Sequence, residues 1–256
     1  CIRDRYSVDA PALQQLGAGF AGALQVNGEV RGKVQQPRIT AEWQGSKLRL
    51  PGDASIAATQ GKADISLNRN NNAGLISNAT INATAQGLNL AAQKIAKLSM
   101  QAQFAMQANA PVSINVRADG IDSTQLRAEN FTLDVNGTTA QHALNAALVE
   151  RDQNWKLNAS GGVKDLTRNP SWQGSINSLD ATGRLTAKLA APASLLVSQK
   201  QLQLDQFKLN VNKAVIAIEQ FMRKDKNIVT RGKFERVQVG DCLLYTSPSP
   251  RDQRGS

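Results

Sequence analysis

Strict alternation of apolar and polar residues is the feature of this sequence that leaves the fewest folds open. Leu98, Met100, Ala102, Phe104, Met106 and Ala108 occupy every second position, with Ser99, Gln101, Gln103, Ala105 and Gln107 between them. Period two sends successive side chains to opposite faces of a strand, so one face is dry and the other wet, as in an antiparallel sheet. The spacing recurs in Val112-Ile114-Val116, Leu133-Val135, Trp155-Leu157-Ala159 and Leu185-Ala187-Leu189. It returns in Leu202-Leu204, Phe207-Leu209-Val211 and Ile216-Ile218.

Turn signals punctuate these stretches: Asn27-Gly28, Pro51-Gly52, Asn70 to Gly74, Asp119-Gly120, Asn136-Gly137 and Gly161-Gly162. They predict hairpins at spacings of roughly 8 to 12 residues, the rhythm of an all-β chain. Helix is scarce. Residues 10–23 have room for a turn or two, weakened by their glycines, and alanine-rich residues 91–97 run straight into the strongest alternating stretch. No helix is long enough to cover such a sheet, so its dry face must be closed on itself, curled, or occupied by an apolar ligand. Weak internal similarity among residues 26–32, 85–90 and 133–138 favours an elongated, curled and repetitive sheet with one apolar face over a closed globule.

Composition agrees with that reading. Aromatics are only 4% against 41% hydrophobic residues, so apolar surface is spread thinly along the chain. The formal net charge of +10 raises the question of nucleic acid. The basic residues stand singly, as in Gly32-Lys33-Val34 and Lys47-Leu48-Arg49, without aromatics to stack on bases, so no nucleic-acid partner is expected. No stretch reaches the roughly 18 apolar residues of a membrane-spanning helix. Cys1 stands where an initiator Met would, and the second cysteine is Cys242, far from it in sequence.

The run from Cys242 to Asp252, with Pro248 and Pro250, departs from everything before it. It resembles the conceptual translation of a transposase adapter used in sequencing libraries. Residues 242–256 are therefore expected to be an artefactual, disordered tail, and residues 1–241 one repetitive segment of a longer protein. Losing Arg251, Asp252 and Arg254 lowers the formal charge from +10 to +9, so the basic character survives.

A search for chemistry finds little. His142 is the only histidine, too few for a zinc site without nearby cysteines, and is expected at an exposed strand or hairpin position. No Gly-x-Ser-x-Gly elbow is present. Asp64, Asp119, Asp122, Glu129 and Asp134 are dispersed, and Asp119-Gly120-Ile121-Asp122 lacks the further ligands of a calcium loop. Gly17-Ala18-Gly19-Phe20-Ala21-Gly22 has the spelling of a phosphate-binding loop without its preceding strand. The Asn-x-Thr triplets at Asn78, Asn82, Asn130 and Asn136 follow from a chain rich in Asn and Thr. No enzyme, cofactor or metal is expected.

Several segments, taken in order, resemble the TamB family, the inner-membrane half of the translocation and assembly module of Gram-negative bacteria. Leu16 to Gly22 leads into Gly28-Glu29-Val30-Arg31-Gly32-Lys33-Val34 and Gln36-Pro37-Arg38-Ile39, similar to the family's G-x-V-x-G-x-x-x-x-P repeat. Ala85-Gln86-Gly87-Leu88-Asn89-Leu90 and Gly137-Thr138-Thr139-Ala140-Gln141-His142-Ala143-Leu144 follow, then Trp172-Gln173-Gly174-Ser175-Ile176, Leu179-Asp180 and Ala190-Ala191-Pro192-Ala193. AsmA-like proteins share the texture. The resemblance implies a taco-shaped sheet with a greasy groove, spanning the periplasm from an inner-membrane anchor. It also implies roles in outer-membrane protein assembly and phospholipid transport, with a TamA-like barrel met through parts outside this segment.

On that reading the groove is lined by Leu98, Met100, Ala102, Phe104, Met106, Val112, Ile114, Val116, Leu133, Val135, Leu185, Leu189, Leu202, Leu204, Phe207, Leu209, Val211, Ile216 and Ile218, and phospholipid acyl chains lie against them. The competing reading is a structural or adhesive β-solenoid, such as a surface passenger segment, whose core is packed shut.

Overall fold

The alternating stretches are parts of strands longer than the turn signals predict. The computed structural model describes residues 2–68, 76–166 and 169–236. Strands β1 (Ile2–Ala10), β2 (Ala21–Lys33), β3 (Gln36–Leu50) and β4 (Ala54–Leu67) come first, with a single 3-10 turn (Leu13–Leu16) between the first two. Then follow β5 (Ile76–Leu90), β6 (Gln93–Ala105), β7 (Pro111–Asp122) and β8 (Arg127–Thr138). The chain continues through β9 (His142–Glu150), β10 (Gln153–Lys164), β11 (Ser171–Gly183) and β12 (Ala187–Leu189). It ends in β13 (Ala193–Ser198), β14 (Gln201–Val211), β15 (Ala214–Lys224) and β16 (Asn227–Glu235).

All sixteen strands join one antiparallel sheet in chain order, an elongated all-β architecture. The one departure is local. β12 and β13 both pair with β11 and β14, so together they fill a single strand's place, interrupted at Ala190-Ala191-Pro192. Pro192 has no N–H to give to a ladder, which suits it to the gap. Substantial contacts between elements run only from each strand to its ladder neighbours, apart from the 3-10 turn on β2. No second layer of secondary structure covers either face among the described residues.

The glycine-based turn predictions need correction. Pro51-Gly52 does occupy the turn between β3 and β4, but Asn27-Gly28, Asp119-Gly120, Asn136-Gly137 and Gly161-Gly162 lie inside or at the ends of strands. The tight hairpins are instead two-residue loops at 34–35, 91–92, 151–152, 212–213 and 225–226. In three of them Ala91, Asn212 and Asp225 supply a left-handed residue, with φ of 51°, 49° and 52°. Polar residues tolerate that region, and a hairpin clamped by long strands imposes it even on alanine. The predicted turn at Asn70 to Gly74, both cysteines and the whole 242–256 tail lie outside the described residues.

The polar face is bonded across strands. Asn158 Nδ2 donates to Asn145 Oδ1 at 2.6 Å, and Asn177 Nδ2 to Asn158 Oδ1 at 3.0 Å, a short ladder of amides. Arg38 grips Asp64 with two nitrogens, Nε reaching Oδ1 at 2.8 Å. Those hydrogen bonds, against some desolvation, hold the Asp64 carboxyl below the usual carboxylate range. Its contribution is present at neutral pH and lost as the pH falls through that depressed value. Both side chains are well solvated, so it stays below about 1 kcal/mol.

Candidate functional site

Directly paired residues of an antiparallel sheet share a face, so the ladder register maps the apolar side without further assumption. One row runs Val26, Trp43, Gly61, Ala83, Met100, Val116, Leu133, Ala146, Leu157 and Leu179. Beside it runs Ala41, Ala63, Ile81, Ala102, Ile114, Val135, Leu144, Ala159, Ile176 and Ala193. On its other flank a third row carries Ala85, Leu98, Ala118, Phe131, Leu148, Trp155, Ala181 and Ala187. Every residue in the three is apolar, or glycine under an aromatic ring.

The residues singled out from alternation fall on this face wherever they sit in strands. Leu98, Met100, Ala102 and Phe104 of β6 lie beside Val112, Ile114 and Val116 of β7 and Leu133 and Val135 of β8. Leu202 and Leu204 join through Val197 and Leu195 to Trp172 and Gly174. Leu189, Leu209 and Ile216 form one paired row, and Leu209 and Leu189 are buried with Ala181 and Ala187 in an apolar cluster. Phe207, Val211 and Leu185 pack against that cluster, while Ile218 pairs with Phe207. Two of the set differ in kind. Met106 lies one residue past the end of β6, where its N–H donates to Ser77 O at 2.8 Å. Leu185 sits in the bend before β12, held at both backbone groups by the buried amide of Gln153.

Aromatic rings lie along this face rather than standing on it. The Trp43 ring covers Gly61, where an added Cβ would fall 2.3 Å from a ring carbon, and its N–H donates to Thr59 Oγ1 at 3.3 Å. Trp172 spreads over Gly161 and Gly174 and donates from Nε1 to His142 Nε2 at 2.8 Å. His142 Nδ1 lies 2.8 Å from Thr138 O, which makes it the donor there and fixes the neutral tautomer. The expectation of an exposed histidine is therefore corrected: His142 is 8% exposed, because a tryptophan from two strands away reaches over glycines to cap it. Its two nitrogens are engaged in structure. Two stretches that carry the family resemblance, residues 137–144 and 172–176, thus meet through this bond.

Beside them Thr139 is a buried knot. Its N–H donates to Ala110 O at 2.8 Å, its carbonyl accepts from Val163 N–H at 2.7 Å, and its Oγ1 donates to Gln107 O at 2.5 Å. Thr139→Val keeps the shape but leaves the Gln107 carbonyl with the Ala110 N–H at 3.2 Å as its remaining donor, so a loss of about 1 kcal/mol is expected. A lower urea midpoint at unchanged slope would register it.

No second layer of strands or helices packs on the apolar side among the described residues. Two depressions, ≈ 540 and ≈ 600 Å³, open on the polar face between Gln44, Gln60, Thr84 and Gln86, and between Glu42, Lys62, Asn82, Gln101 and Arg117. Among the described residues no group of three or more His, Cys, Asp or Glu side chains is placed to hold a metal ion. No helix among them is long and apolar enough to cross a membrane.

The family model described as TamB, N-terminal domain, matches residues 74–207, a little over half of the chain and β5 through most of β14. No curated protein and no solved structure matches the chain.

Proposed function

The chain belongs to the TamB family, and from that premise we propose that its apolar face is a groove surface along which phospholipid acyl chains lie. It serves outer-membrane protein assembly and lipid passage between the two membranes. The observation that carries this reading is the set of three adjacent apolar rows, two of them ten strands long and the third eight, with no covering layer. Burial of a lipid methylene contributes about 0.8 kcal/mol, so a chain of roughly 16 carbons gains on the order of 10 kcal/mol from such a surface. No polar site is required, and rings lying flat on glycine leave the surface smooth enough for chains to slide. A closed solenoid core would bury these rows against a second wall, and no such wall faces them among the described residues.

On this proposal residues 1–241 form a periplasmic segment of a longer protein anchored in the inner membrane, and residues 242–256 are foreign to it. The TamA-like barrel is met by parts outside the segment. Its role is conduction and assembly, without catalysis.

A photo-crosslinking amino acid at Phe104 is expected to yield phospholipid adducts in intact cells, and one at the neighbouring Gln103 is not. The two positions differ by one residue and point to opposite faces. Mass spectrometry of the adducts reads the result, and equal labelling at both would sink the proposal.

A further inference from the structure

A line of irregular positions crosses the sheet from β3 to β7. Along β5 the apolar face is carried by Ala79, Ile81, Ala83 and Ala85, and then by Leu88, so the parity changes at Gly87. Neighbouring strands change parity at the same level. In β6 the change falls between Ile95 and Leu98, and in β7 between Ala118 and Ile121. Here the ladder pairs Leu48 with Ile56, Ile56 with Leu88, Leu88 with Ile95 and Ile95 with Ile121. It passes over the position between on every strand: Lys47, Ala57, Gly87, Ala96 and Gly120.

Three of these five are left-handed, one on every second strand: Lys47 at φ 50°, Gly87 at 59° and Gly120 at 62°. Glycine adopts that region freely, and it inverts the alternation without adding a residue. An added Cβ on Gly87 would lie 2.8 Å from Cβ of Ala57, and one on Gly120 2.8 Å from Cβ of Ala96. The line is therefore a close approach of small residues where the ladder is interrupted. Beyond it, the strand ends keep apolar residues on the apolar side and finish in leucines left in solvent, Leu50 at 38% and Leu90 at 46% exposed.

We propose that this line is a hinge, and that the strand ends beyond it form a flap that closes over acyl chains held on the apolar face. The proposal rests on the lipid reading above. Interrupted pairing makes the line the softest place to bend the sheet, and the change of parity keeps the flap's inner side apolar. Closure gives Leu50 and Leu90 the cover that they lack.

The test uses the full chain with Cys1→Ser and Cys242→Ser, and spin labels at Gln93→Cys on the flap and Gln107→Cys past the far end of β6. Both positions are exposed. A strand running straight between them would separate the labels by about 45 Å. The measured separation is expected to fall well below that, and to drop by several ångströms more on loading from phosphatidylethanolamine–phosphatidylglycerol vesicles. Gly120→Val should abolish the lipid-dependent drop, since valine resists left-handed φ and meets Ala96. Gly120→Asn with Ala96→Gly, which tolerates that φ and clears the contact, should restore it; this second variant also serves if the valine variant does not fold. Lipid adducts at Phe104 with no lipid-dependent change in separation would overturn the hinge alone. Absence of adducts would overturn the groove reading and the hinge with it.

Discussion

Ala102→Asp is expected to destabilise the sheet by about 3–5 kcal/mol, the cost of leaving a charge buried and unpaired. Ala102 is 5% exposed between Ile81 and Ile114, with Met100 and Phe104 on either side along its own strand. No cation shares that row. The new carboxyl has a raised pKa in the folded state, so the loss is full at neutral pH and shrinks as the pH falls and the group takes up a proton. Gln103→Glu, one residue along and on the polar face between Thr80 and Ser113, should change stability by less than about 0.5 kcal/mol. Urea unfolding of both variants at pH 7 and pH 4.5 checks the pair. Equal, small losses at the two positions would mean that the face assignment is wrong.

Gly162→Ala is expected to cost about 3 kcal/mol, at the top of the range for forcing atoms into a packed site. A Cβ at Gly162 would lie 1.9 Å from the carbonyl oxygen of Ala140 and 2.3 Å from its carbon. These are backbone atoms and cannot rotate away. β10 must then part from the turn between β8 and β9, and the bond from Val163 N–H to Thr139 O goes with it. Hydrogen exchange at the Val163 amide gives a local readout beside the global one. Protection that survives the substitution would show that the two segments are not in contact.

Fold class and the dry face were legible because period two holds along most of each central strand, and pairing in register turns parity into a surface. The residues chosen from β6, β7 and β8, four, three and two of them, alternate without interruption within each strand, and all lie in adjacent rows. Glycine misled, because its two uses look alike in one dimension. Asn27-Gly28 has the spelling of a hairpin, yet Gly28 is mid-strand, where Tyr6 crosses it to reach Thr40 O at 2.9 Å. His142 was misplaced for a related reason. Its partner is Trp172, 30 residues on, and no local pattern announces a bond between strands that are not neighbours. The change of parity at Gly87 is visible as a one-residue slip in spacing, from Ala85 to Leu88, inside residues 85–90, which the sequence offers only as one unit of a weak repeat.

Because each strand place pairs only with the places before and after it in the chain, and side chains such as Trp172 reach at most one place further, the molecule behaves as a ruler. A hairpin inserted at a turn lengthens it by about 10 Å and opens one existing seam, leaving the pairing of the other seams as it was. Reach across a gap can thus be adjusted by duplication or loss of strand pairs, with no redesign of a shared interior. The same arrangement lets the sheet grow in the order of synthesis, each strand docking on an edge already formed. Pulled from its two ends, it would yield one strand at a time.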